Sequence, residues 1–233
     1  MSGSIVSAGQ RARVRALAEP IARGFGRLGL TPNHLTFIGF GIAVGAGIAA
    51  AQQAWLAAGI LVLSGGVFDL FDGALARATG RVSRIGAFYD SVFDRWGEGV
   101  VYVGIAWGSV DVGFGAGAVL ATAALASAVM VSYARAKSES LGFTRGSRMA
   151  SVGLMPREVR LAVLTLGLVL APTLLYEALP PGYACGGPCD LQGGTLTLAL
   201  VAITIGATIT TIQRILHVRA QAREADGALP PPS

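Results

Sequence analysis

The chain has 233 residues, 53% of them hydrophobic and only 13% charged, with a mean hydropathy of +0.61; soluble domains carry about a quarter charged residues. The apolar residues come in long runs separated by short arginine clusters, which excludes an ordinary soluble enzyme and marks a polytopic membrane protein. The net charge of +5 reads as a basic rim suited to anionic lipid heads or phosphorylated substrates. It gives no reason to expect a nucleic-acid partner.

Taken in chain order, the first element is amphipathic. Residues 5–28 read as a helix lying on the membrane, with Arg on one side and Ile5, Val14, Leu17, Ile21, Phe25 and Leu28 on the other. No cleavable signal peptide is visible. Apolar runs measured against the roughly 20 residues of a spanning helix then predict spans near 33–53, 54–77, 85–108, 113–139, 157–177 and 195–218. The expected fold class is thus an all-α integral membrane protein with six transmembrane helices and an N-terminal amphipathic interfacial helix. Its expected divisions are residues 1–30 as the juxtamembrane helix, 31–220 as the transmembrane domain, and 221–233 as a disordered tail. Many of the 33 glycines fall inside the spans, which predicts close helix packing.

Charge sets the orientation. The 18 Lys and Arg residues lie before the first span, around the second-to-third and fourth-to-fifth connections, and at the end of the sixth. The remaining loops carry only Asp111, Glu177 and Asp190. Both termini of this multi-pass cell-membrane protein are therefore expected in the cytoplasm. Cys185 and Cys189 fall in the last extracytoplasmic loop, where a disulfide and two free thiols are both open readings. With no histidine beside them they make a poor zinc site.

The stretch 69–94 carries the chemistry. Asp69, Asp72, Asp90 and Asp94 stand in otherwise apolar helix, where a charge costs about 2.5–3.5 kcal/mol at mid-bilayer. A divalent cation is the economical way to neutralise four neighbouring carboxylates. Asp69, Asp72, Gly73 and Ala76 share one helical face, and Gly86, Asp90, Asp94 and Gly97 share another. Counted along the helices from Arg77 and Arg84, the two acidic pairs reach similar depth just inside the cytoplasmic surface. The two faces are expected to close on one another, with small residues leaving room for a ligand. All-oxygen sites suit Mg²⁺, with Mn²⁺ as a substitute. Four carboxylates exceed the need of one ion, so two are expected, the arrangement that clamps attacking and leaving oxygens in phosphoryl transfer. Arg77 is placed to hold phosphate oxygens.

The pattern Asp69-x2-Asp72-Gly73-x2-Ala76-Arg77-x8-Gly86-x3-Asp90-x3-Asp94 resembles the signature of the CDP-alcohol phosphotransferase family at every position. The resemblance implies that Asp69, Asp72 and Asp90 are principal metal ligands, and that Asp94 completes the site and acts as general base. It implies that Gly73, Ala76, Arg77 and Gly86 line the CDP pocket and that the protein is a homodimer. Thr31-Pro32-Asn33-His34-Leu35-Thr36 resembles the family's opening to its first span, which makes Asn33 and Thr36 candidates for touching the nucleotide. The implied reaction is attack of an acceptor hydroxyl on the distal phosphorus of a CDP-linked lipid, releasing CMP. A membrane cation transporter would also place carboxylates in the bilayer but has no reason to reproduce the whole spaced signature. Intramembrane prenyltransferases lack the Gly-x2-Ala-Arg element.

Basic residues at three cytoplasmic helix ends predict a second anion site, as a phosphorylated polyol acceptor requires. The tail of the fourth span and Arg157-x2-Arg160-Leu161 resemble the branch that makes phosphatidylinositol phosphate or its archaeal ether-lipid counterpart. By that resemblance Arg135, Lys137, Arg157, Arg160 and Arg214 bind the acceptor phosphate, with inositol 1-phosphate the expected acceptor. Pro156 before Arg157 and Val159 in place of an acidic residue depart from the branch pattern. Glycerol 3-phosphate, as in phosphatidylglycerophosphate synthase, stays open as acceptor, and so does transfer from CDP-inositol to inositol phosphate.

Overall fold

The structure, a computed structural model, describes residues 20–21, 24–80, 82–111, 113, 115–143, 152–171 and 194–227. Six helices are bounded in it: α1 (Pro32–Ala51), α2 (Trp55–Ala78), α3 (Arg84–Asp111), α4 (Gly115–Ser140), α5 (Arg157–Leu170) and α6 (Gly194–Gly227). Among the described residues there is no strand.

Local chemistry explains where the helices begin. Thr31 and His34 form a reciprocal capping box on α1, with Pro32 in the first turn where its missing N–H costs nothing. His34 is thereby engaged at a helix start. The Gly86 N–H donates to Ser83 Oγ at 3.0 Å, capping α3. Pro156 precedes α5 in extended conformation. The α1–α2 turn is tied to the end of α3 by Gln53 Nε2, which donates to Asp111 Oδ2 at 2.7 Å.

Four helices, α1, α2, α4 and α6, are long and apolar enough to cross a membrane. Leu63, Trp107, Val119 and Leu198 are each 58–70% exposed on the bundle's outside, where lipid rather than water suits them. The chain is a helical membrane protein. With lipid outside, apolar burial drives little of the helix association, and close packing of small residues takes over. The core accordingly contains Ala46, Ala50, Ala58, Ala121 and Ala124 around Tyr102, Ile105 and Leu168. At the tightest crossing a Cβ on Gly104 of α3 would collide with the Gly47 carbonyl of α1, so the two backbones touch.

Two expectations change. The last helix continues to Gly227, past the boundary expected at 220, because nothing in Arg219–Asp226 breaks a helix. The acidic faces of α2 and α3 also do not close on one another. Each helix packs along α1 instead, and the two make no extended contact. The gap between them is the cleft described next. Cys185, Cys189 and most of the N-terminal amphipathic segment lie outside the described residues.

Candidate active site

The cleft is walled by α1, α2, α3 and α5. Small residues, among them Gly39, Ala43, Gly65, Gly66 and Gly97, keep it open, and Asp69, Asp94, Glu98 and Arg157 line it.

The four aspartates lie at the same end of the bundle. Asp72, Asp90 and Asp94 each lie within electrostatic reach of Asp69. Asp72 is buried, and its Oδ2 accepts from Thr36 Oγ1 at 2.9 Å. Thr36, a candidate for touching nucleotide, thus faces a carboxylate from the neighbouring helix. Asp69 lies against α1, its Oδ1 3.3 Å from where a Cβ on Gly39 would stand. Asp90 is half-buried.

Arg157 enters this cluster from α5. Its Nη2 donates to Asp69 Oδ2 at 2.7 Å, and its Nη1 lies 3.1 Å from Asp94 Oδ2. One guanidinium therefore bridges carboxylates of two helices that make no extended contact. Its Nε is buried with no hydrogen-bond partner, a donor of the kind an anionic oxygen satisfies.

The residues expected to hold CDP lie at the same end. The Arg77 guanidinium folds back over Gly73, where a Cβ would stand 3.3 Å from Nη1. At Gly86 a Cβ would stand 3.2 Å from Asn33 Oδ1, so glycine lets α1 and α3 start side by side. Ala76 is half-buried and Arg77 exposed.

The basic residues divide into two groups. Arg135 and Lys137 are solvent-accessible at the end of α4, with Arg135 Nε donating to Glu139 Oε1 at 2.9 Å. Arg135 also lies within electrostatic reach of Arg95 and Arg214. Arg160 and Arg214 are 1% and 4% exposed and are already engaged. Arg160 makes two 2.8 Å bonds to the carboxylate of Glu98, and Arg214 donates to the carbonyls of Val131 and Val152. Sequence reasoning expected both of them at the acceptor phosphate; here Arg160 is held by Glu98 and Met155, and Arg214 through Nε and Nη1 by two carbonyls. It also missed Glu98. The available signal was spacing, since Asp90, Asp94 and Glu98 stand at i, i+4 and i+8 on α3.

The donors present fit a hard divalent cation by their chemistry, being carboxylate oxygens supported by a hydroxyl. Among the described residues, however, no three acidic or imidazole groups converge on one point, and Arg157 stands between Asp69 and Asp94 as their counter-charge.

A helical membrane bundle with a carboxylate cleft faced by a guanidinium group has the chemistry that suits phosphorylated ligands. Comparison with known proteins makes this particular: the chain belongs to the CDP-alcohol phosphatidyltransferase family, whose family model matches residues 29–213, and it is a CDP-alcohol phosphotransferase. Over 157 residues it is 37% identical to the archaetidylinositol phosphate synthase of Pyrococcus horikoshii, covering 66% of this chain and 77% of that one. It is 32% identical to the phosphatidylinositol phosphate synthase of Streptomyces avermitilis over 223 residues, covering 94% of this chain and 84% of that one. The fold matches the crystal structure of the Mycobacterium tuberculosis phosphatidylinositol phosphate synthase with CDP-DAG bound, with a TM-score of 0.71 and 26% identity, covering 87% of this chain and 94% of that one. The same mycobacterial enzyme in complex with manganese and citrate matches with a TM-score of 0.69 and 26% identity, covering 87% of this chain and 88% of that one.

Proposed function

We propose that this protein transfers a phosphatidyl-type group from a CDP-linked lipid to inositol 1-phosphate, releasing CMP. The observation that carries the reading is the meeting of the α2 and α3 carboxylates with Arg157 in one cleft. The inositol-phosphate relatives support the choice of acceptor.

Asp69, Asp72, Asp90 and Asp94 would hold divalent metal, two ions of Mg²⁺ or Mn²⁺, which when bound supply the positive charge that offsets the pyrophosphate and the departing CMP. Asp94 takes the proton from the acceptor hydroxyl. Gly73, Ala76, Arg77, Gly86 and Asn33 form the wall against which CDP lies. Thr36 orients Asp72 from beneath. Arg157, with Arg135 and Lys137 on the rim, meets the acceptor phosphate, and Arg157 is the link between acceptor and acidic cluster. Arg160 and Arg214 serve that site from behind, as framework.

The protein as a whole is proposed to be a six-span homodimer, with the stretch 31–220 forming the catalytic bundle and residues 1–30 an interfacial helix. Both termini and the site face the cytoplasm. Two further helices, α3 and α5, complete the six spans. The first is 28 residues long, ample for a bilayer at about 1.5 Å per residue. The second runs from Arg157 to Leu170 among the described residues.

Purified protein with CDP-diacylglycerol should release CMP fastest with inositol 1-phosphate, slower with glycerol 3-phosphate, and little with inositol or serine. Chelator should abolish release, and Mg²⁺ or Mn²⁺ should restore it. Faster turnover with glycerol 3-phosphate overturns the acceptor, and undiminished release in excess chelator overturns the metal.

A further inference from the structure

Glu98 and Arg160 form an enclosed ion pair that the proposed reaction does not use. Arg160 Nε and Nη2 donate to Glu98 Oε1 and Oε2 at 2.8 Å each, with the side chains 1% and 4% exposed. Replacing such a pair by apolar residues of similar size is often neutral or even stabilising, so stability alone gives weak reason to keep it. Setting the register of one element against another is its best-attested use.

Register is what this pair is placed to set. On α3, Glu98 follows Asp94 by four residues; on α5, Arg160 follows Arg157 by three. The two helices are thus joined by two rungs, Asp94–Arg157 at 3.1 Å and Glu98–Arg160 at 2.8 Å. The first rung is partly open, at 14% and 26% exposure, while the second is closed. Arg160 Nη1 also donates to the Met155 carbonyl at 3.2 Å, and the Met155 N–H donates to Thr210 Oγ1 at 2.9 Å. Segment 152–156, which delivers the chain to Arg157, is held from both sides.

We infer that Glu98 and Arg160 are positioning residues, a buried rung that sets α5 on α3 so that the Arg157 guanidinium reaches the acidic cluster. The inference rests on the reading of Arg157 as an acceptor-phosphate residue.

The test compares wild type with the doubly apolar variant E98L/R160M and with E98Q, which keeps one acceptor for Arg160. The double variant should unfold thermally within a few degrees of wild type, yet lose about tenfold to a hundredfold in kcat/KM for inositol 1-phosphate, the scale of a displacement of about 1 Å at a reacting site. The KM for CDP-diacylglycerol should stay within about twofold, because its pocket is built on α2 and the start of α3. E98Q should fall between. An unchanged acceptor KM, or equal losses for donor and acceptor, overturns the proposal. If the double variant does not fold, the donor–acceptor split in E98Q decides by the same criterion. Should wild type not use inositol 1-phosphate at all, the acceptor reading has failed, and hydrogen exchange across 152–160 decides about the pair. Faster exchange in the double variant or in E98Q supports the rung, and wild-type exchange refutes it.

Discussion

Asp72 and Asp94 belong to one cluster but have different neighbours, and their substitutions should differ accordingly. Asp72 is buried and accepts from Thr36 Oγ1, so in the proposed reading Thr36 is the support behind a metal ligand. Thr36→Val keeps the shape and removes the hydroxyl. Loss of such a supporting contact typically weakens metal affinity about tenfold to a hundredfold, and a Mg²⁺ titration of activity should shift by that amount while kcat at saturating metal stays close to wild type. A kcat loss that excess metal does not relieve would show that Thr36 does something else. Asp94 instead lies 3.1 Å from Arg157 Nη1. Asp94→Asn should lower kcat by at least about a hundredfold, the usual contribution of a positioned base, with donor binding reduced far less. Parallel loss of both would make Asp94 a ligand before it is a base.

Among the elements, α1 has the largest structural task, since α2 and α3 both pack along it. Its crossing with α3 depends on Gly47 and Gly104, where backbone rather than flexible side chain stands in the way of any added atom. Overpacking usually costs about 1–3 kcal/mol, and here nothing soft can give. Gly104→Val should therefore lower the thermal midpoint of detergent-solubilised protein and reduce activity, by parting the helices that carry Thr36 and Asp94. Gly41, which has no atoms within 4 Å of an added Cβ, supplies the control: Gly41→Ala should be neutral. Equal Tm values for Gly104→Val and wild type would refute the crossing.

At the scale of the whole molecule, asymmetry of charge is the dominant feature. Helix α6 runs for 34 residues, about 50 Å at the usual rise, against a hydrocarbon core of about 30 Å. It must project beyond the bilayer, and Arg214, Arg219 and Arg223 stand in its second half. In a background with Cys185 and Cys189 replaced, single cysteines placed in 108–112 or 178–194 should react with impermeant reagent from outside. Those placed in 78–84 or 142–156 should react only from inside. The reverse pattern would invert the orientation and put the acidic cleft on the wrong side for cytoplasmic CDP-linked lipid.

Much of this was legible in the chain itself. Membrane class, the starts of all six helices to within two residues and the shared face of each aspartate pair follow from local quantities: hydropathy, helical period and capping residues such as Thr31. So does the placement of the four aspartates at one end of the bundle, because span lengths and loop positions set their depth. What was not legible depends on partners distant in sequence. Arg157, Arg160 and Arg214 look alike as basic residues at helix ends, yet one reaches Asp69 and Asp94 while the other two are enclosed by Glu98 and by backbone carbonyls. A guanidinium finds its partner only when helices separated by about sixty or more residues are brought side by side, and that placement is set by small-residue crossings such as Gly47 on Gly104. The same crossings put α1 between α2 and α3, and so decided that the acidic faces border a cleft instead of closing on each other.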